Sequence, residues 1–248
     1  MTLKKSLALL ALSSSLVYVS CSADAVEPTT SSSASTTPAT NKCDYSPYSV
    51  GSTFTSEVAV KNIFDGKWSY SESKTSVTGL KDIGGKKWST GMGIFSGDTT
   101  SQVQSKEGYV RCDGAGTYAL LKGVGANGAD LELNYLQYPL TKNKTWKSNP
   151  VSISQQGITQ KFYYQYTVLN TGLTKKIKNT TFKDVVEIEE KLIVSVTYNG
   201  DTDISETVLK RFFDKTAGHI QTISFFENPF TGDVDTALVQ SLVSYNIK

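Results

Sequence analysis

Apolar and polar side chains alternate along this chain with the period of a β-strand. Leu131, Leu133 and Tyr135 fall on one face while Asp130, Glu132 and Asn134 fall on the other. Successive strand residues point to opposite sides, so such a run buries one face and wets the other. The runs Phe162 to Leu169, Val185 to Tyr198, Thr207 to Phe213, His219 to Phe226 and Ala237 to Ile247 read the same way. Most are rich in β-branched and aromatic residues, which suit a pleated, half-buried surface. Between the runs stand Asp65-Gly66, Gly84-Gly85, Asn127-Gly128, Asn199-Gly200 and Thr231-Gly232, and Asn-Gly or Asp-Gly between alternating runs is a hairpin signal. The pattern predicts an all-β domain, a curved antiparallel sheet shaped as a half-barrel, barrel or sandwich. Ala237 to Val243 alone is compatible with a short helix as well as a strand.

Ahead of the strands stand Lys4 and Lys5, an apolar run from Leu7 to Leu12, a serine patch, and Leu16 to Val19. This is the build of a secretory signal, too short and too interrupted to span a bilayer that takes about 20 apolar residues. Residues 1–20 are therefore expected to be removed. Cys21, preceded by Tyr18-Val19-Ser20, resembles a bacterial lipobox, with Tyr18 where that pattern commonly has Leu. The resemblance implies cleavage before Cys21 and acylation of it, palmitate among the chains. The alternative is cleavage after Ala25 at Ala23-Asp24-Ala25, which would discard Cys21 and release a secreted protein. From Ser22 to Asn41 the chain is rich in Ser, Thr, Ala and Pro with almost no large apolar side chains, too little to order itself and suited to a flexible tether. The expected organisation is signal 1–20, lipidated Cys and tether 21–41, and one β domain 42–248.

With Cys21 taken by lipid, Cys43 and Cys112 remain as an even pair in an oxidising compartment. A bridge closing about 70 residues stabilises by roughly 4 kcal/mol in the chain-entropy model. Removing Lys4 and Lys5 with the signal leaves 23 basic and 23 acidic residues. A balanced chain without a basic block has no electrostatic footprint for nucleic acid. Arginine occurs only at Arg111 and Arg211, so bidentate phosphate recognition is poorly supplied.

Tyr45-Ser46-Pro47-Tyr48-Ser49-Val50-Gly51-Ser52-Thr53-Phe54 is similar to a phrase of Gram-negative cell-envelope lipoproteins: aromatic, x, Pro, Leu, x, x, Gly, x, x, aromatic. Tyr48 replaces the usual Leu. The phrase returns at Tyr138-Pro139-Leu140-Thr141-Lys142-Asn143-Lys144-Thr145-Trp146, and Gly84-Gly85-Lys86-Lys87-Trp88 and Thr181-Phe182-Lys183-Asp184-Val185-Val186-Glu187-Ile188 are family-like as well. The resemblance implies a LolA/LolB-like or lipocalin-like curved sheet that shelters an apolar ligand, and it brings no catalytic residue. Its motifs read as structural, with Pro and Gly setting an entry turn and an aromatic plugging the core end of the next strand. The two phrases also admit an internal duplication divided near 129/130, against which stands one continuous sheet.

Catalytic signatures are sparse. His219 is the single histidine, with no nucleophile elbow or zinc-type spacing beside it. Glu187 and Glu189, joined by Glu190, would be the carboxylates of a carbohydrate-active hydrolase, yet charges alternating with Val186 and Ile188 read as the wet side of a strand. Asn199, Asp201 and Asp203 begin like a calcium loop, but Ile204 stands where that loop needs Gly, so the segment reads as a turn. In Phe162-Tyr163-Tyr164-Gln165-Tyr166, a strand puts Tyr164 and Tyr166 on one face and Tyr163 on the other. These tyrosines and Phe226, which lies with Phe225 and Phe230 around Pro229, are the candidate ligand-binding residues for an apolar or glycan ligand. No metal or cofactor is expected. The function expected is that of a non-enzymatic lipoprotein at the cell envelope, most simply the outer membrane, with the hydrolase and a structural or adhesion module as alternatives.

Overall fold

The computed structural model describes residues 42–62, 64–97, 100–123, 128–155, 157–227 and 232–248. The expected signal, Cys21, the tether and Phe230 lie outside the described residues. From Lys42 onward the chain is nearly all strand, and no helix among the described residues is long and apolar enough to cross a membrane. Ala237 to Val243, open to two readings in sequence, is strand, because it is paired on both sides.

A short ribbon of β1 (Lys42–Cys43) and β2 (Ser46–Pro47) precedes the main sheet. The first meander runs β3 (Thr53–Lys61), β4 (Trp68–Ile83), β5 (Lys86–Gly97), β6 (Thr100–Asp113), β7 (Gly116–Leu121) and β8 (Leu131–Gln137). After β9 (Thr145–Lys147), a second follows: β10 (Val151–Gln155), β11 (Ile158–Ile177), β12 (Thr180–Tyr198), β13 (Asp201–Asp214), β14 (Gly218–Glu227) and β15 (Val234–Asn246). The final strand returns to the first, so that β15 pairs β3 and the two meanders join into one antiparallel 13-stranded sheet. Its ends are β8 and β10, and β9 continues the β10 edge along β11.

Because every strand reverses direction, turns gather at two ends. One end, here the base, carries the turns at Gly84-Gly85, 113–116, 138–144, 178–179 and 215–217 together with Lys42 and Lys248. The other, the tip, carries the remaining hairpins, including Asn199-Gly200 between the paired Tyr198 and Asp201. Both turn residues there have positive φ, 52° and 87°, as a tight hairpin requires. The calcium-like segment is therefore a turn.

The sheet is not hydrogen-bonded into a closed barrel, but its edges meet through side chains. Leu131 and Leu133 of β8 pack with Val151 of β10, Phe162 and Tyr164. Nearer the base, Leu136 packs with Trp146, Tyr166, Val168, Val186, Ile188 and Phe213, and the Trp146 Nε1–H donates across the gap to the Asn134 carbonyl at 2.9 Å. A further core joins Phe54, Val77, Ile177, Phe182, Val185, Phe212, Ile220 and Leu242. Side chains of this size each contribute about 1.5–3 kcal/mol on burial.

The segment before β3 closes the base. Cys43 is bridged to Cys112 at the end of β6, the Tyr45 N–H donates to the Lys215 carbonyl, and Tyr48 packs against the core around Phe54. Gly218 makes this seating fit: its φ is +75°, and a Cβ there would lie 2.6 Å from Pro47 Cδ, a combination open to glycine alone.

Candidate functional site

Register fixes which side chains share a face. Phe162, Tyr164, Tyr166 and Val168 of β11 lie opposite Val194, Leu192, Glu190 and Ile188 of β12. Ile188 and Glu190 stand opposite Arg211 and Leu209 of β13, which neighbour Thr222 and Ser224 of β14, and these neighbour Gln240 and Leu238 of β15. Directly opposed residues project from the same side of a sheet, and this side holds the clusters that join the two edges. It is the inner face.

At its centre is a polar cluster. Glu190, only 3% exposed, accepts two hydrogen bonds from Arg211, 2.8 Å from Nε and 3.0 Å from Nη2. Arg211 Nη1 donates to the Tyr135 hydroxyl at 3.2 Å and reaches Thr222 Oγ1 at 3.4 Å. Thr222 Oγ1 in turn lies 2.7 Å from His219 Nε2. Burial alone would lower the Arg211 pKa, but the Glu190 carboxylate outweighs it and the net direction is upward. Burial, and then the positive charge of Arg211, lowers His219 to about 3. The imidazole is thus neutral at ordinary pH, and its proton affinity is far from that of a general base working near neutrality. Burial likewise pushes Tyr164 up to about 12. Away from this centre, Val58, Leu209, Ser224, Phe226, Leu238 and Gln240 are half-buried, so the inner face towards the tip is a partly open trough.

The aromatic residues singled out in sequence separate. Tyr166 is 1% exposed, stacked on Trp146 at a centroid distance of 5.2 Å, and serves as wall. Tyr164 stands beside it on the same face, half-buried, with ring centroids 6.3 Å apart. Tyr163 takes the opposite face, half-buried beneath Lys147 Nζ at 5.4 Å. Phe226 is three strands from β11, on β14. Glu187 and Glu189 share the outer face: the first is buried, bonded by Asn170 Nδ2 at 2.8 Å and near Lys210 at 3.3 Å, and the second faces Lys191 at 3.8 Å. Glu190 is on the inner face, so the three carboxylates do not converge. Among the described residues, no three metal-ligating side chains gather.

Both arginines are engaged within the fold. Arg111 lies on the outer face between the rings of Trp88 and Tyr118, at 5.3 and 3.7 Å from their centroids. It donates to Asp113 at 2.8 Å and to Glu132 at 2.6 Å. Sequence reasoning did not find either network, because the partners are brought in by strands 21 residues away; an isolated arginine in an alternating run was the available signal. At the base, a groove of about 520 Å³ runs between Cys43, Asp44, Tyr45, Asp113, Tyr138 and Leu140. It opens beside the point where the chain enters the domain.

No family model matches this chain, and no curated protein matches it. Two solved structures are similar. One is "a putative lipoprotein from Parabacteroides distasonis ATCC 8503", with a TM-score of 0.51 and 10% identity over 82% of this chain and 99% of that one. The likeness shows the fold. The other is "a putative exported protein with YmcC-like fold" from Bacteroides fragilis NCTC 9343, with a TM-score of 0.44 and 9% identity over 83% of this chain and all of that one.

Proposed function

We propose that this chain is exported, held at the cell envelope by a lipid on Cys21, and that its curved sheet binds a ligand or an envelope partner without catalysing a reaction. The observation that carries the reading is the polarity of the domain. Its first described residue lies at the base, fastened through Cys43 to Cys112, so a tether from Cys21 holds the base towards the membrane and leaves the tip free. The tip presents Phe64, Tyr198, Ile204 and Val234, all more than half exposed, and the trough opens towards it. The lipoprotein of like fold supports the same localisation, and the outer membrane is the membrane we assign.

The test is membrane fractionation with palmitate labelling, followed by native mass spectrometry of purified protein and crosslinking in cells. The expected result is a labelled, membrane-bound protein, a soluble unlabelled Cys21→Ala variant, and a co-purifying small molecule or a crosslinked partner. A Cys21→Ala variant that stays with membranes sinks the anchoring. Absence of both ligand and partner sinks the binding role.

A further inference from the structure

The two meanders correspond strand for strand, β3–β8 with β10–β15, each entering from the base. Each is preceded by a Tyr and Pro phrase, and each phrase docks on the other meander. The Tyr45 N–H donates to Lys215 O in the β13–β14 turn, and the Tyr138 N–H donates to Ala115 O in the β6–β7 turn, both at 2.9 Å. The two receiving turns are built alike. Asp113 Oδ1 accepts the N–H groups of Ala115 and Gly116, as Asp214 Oδ1 accepts those of Thr216 and Ala217. Each turn ends on a glycine with no room for a Cβ, which at Gly116 would lie 2.2 Å from Leu136 O and at Gly218 2.6 Å from Pro47 Cδ. The long hairpins agree too: Ile83 and Trp88 flank one turn, Ile177 and Phe182 the other, and Lys81 and Lys175 pair with the two aromatics. These correspondences divide the domain after Gln137.

Such an arrangement has two equivalent junctions. At β15 and β3 the junction is a ladder of eight register pairs. At β8 and β10 no ladder forms, and closure rests on side chains: Leu131, Leu133 and Val151 towards the tip, and towards the base Leu136 against Trp146 and Tyr166, the Trp146 indole bond to Asn134 and the Arg211 bond to the Tyr135 hydroxyl. A strand edge closed by side chains leaves its backbone groups unpaired, and the segments with the fewest backbone bonds are the first to open. We infer that the tip half of the β8/β10 seam is a lateral gate, the side through which a ligand in the trough reaches the part of the inner face lined by Phe162 and Tyr164. The inference rests on the binding reading above, since a gate needs something to admit. Opening here parts Leu133 from Val151 without breaking a ladder, and exposes Tyr164 and Phe162 of the trough.

Hydrogen exchange on the full mature chain with its disulfide intact tests the opening, whether or not a natural ligand exists. Peptides spanning 131–137 and 151–155 should exchange roughly 100-fold faster than those spanning 53–61 and 234–246. Trp146→Phe, and separately Leu133→Ala, should speed the first pair several-fold and leave the second pair unchanged. The apolar fluorophore 1-anilinonaphthalene-8-sulfonate then reports entry, and its uptake should quicken by the same factor in both variants. Equal protection at the two junctions, or a rise at both together, refutes the gate. Faster exchange at the seam with unchanged uptake shows an opening that is not the entrance, and refutes it equally.

Discussion

Lowering the pH from 7 to 5 should weaken the folded domain through His219 alone. In the fold its pKa is about 3, lowered by burial and by Arg211; in the unfolded chain it is about 6.5. Between those values the unfolded chain binds a proton that the native one does not, so stability is present in full above the unfolded pKa and is lost as pH falls. The slope approaches 1.36 kcal/mol per pH unit, which integrates to about 2 kcal/mol between pH 7 and 5. This is the upper figure, because the ring is half-buried and water reaching it trims the shift. The carboxylates with lowered pKa values, Asp113, Asp130, Glu132 and Asp235, titrate mainly below this window. Urea unfolding followed by fluorescence of the three tryptophans reads the effect directly. With a slope of roughly 2 kcal/mol per molar urea, the midpoint should fall by about 1 M. His219→Asn should flatten the dependence, as this is the single histidine of the chain. A midpoint that holds from pH 7 to 5, or a His219→Asn variant with the same slope as the parent, would refute the reasoning.

Two further perturbations test what holds the fold. Glu190→Gln should cost about 3–5 kcal/mol because it strands a buried guanidinium, whereas the double variant Glu190→Leu/Arg211→Met should recover most of that loss; a double variant as weak as the single one in urea would show that the pair is stabilising in itself. Reducing Cys43–Cys112, whose loop spans 69 residues, should cost about 4 kcal/mol, and thermal unfolding with and without reductant that coincide would contradict it.

The strands from β8 onward were legible because their signal is local, whereas β3 to β7 were not, since a strand such as β4, with Ser, Thr and Lys on both faces, shows little alternation. Leu131, Leu133 and Tyr135 show their shared face in the sequence, and the two-residue turn at Asn199-Gly200 is written in its own residues. Pairing order was not legible. Nothing near Ala237 to Val243 announces that it will be sandwiched between β14 and β3, and that pairing is what makes it strand. The alternation placed Tyr164 and Tyr166 together and Tyr163 apart, yet Tyr166 is covered by Trp146, which sits 20 positions earlier and packs there because β9 lines up along β11. The polar centre was hidden for the same reason. Glu190 was grouped with the wet-side carboxylates and Arg211 had no partner in view, and only the register of β12 against β13, with Tyr135 brought in from the first meander, makes them a buried pair.

The position of the disulfide has a mechanical consequence. Tension applied to the chain ahead of Lys42 does not peel the segment carrying Tyr45 and Tyr48 from the base. It passes through Cys43 to Cys112 and enters the sheet at the base end of β6, directed along the strands if the load is borne at the tip. Strands loaded lengthwise share the force among many hydrogen bonds at once, whereas a peeled edge would yield them one at a time. The bridge therefore acts as a strain relief, leaving the Tyr45 and Pro47 contacts unloaded while the domain is pulled.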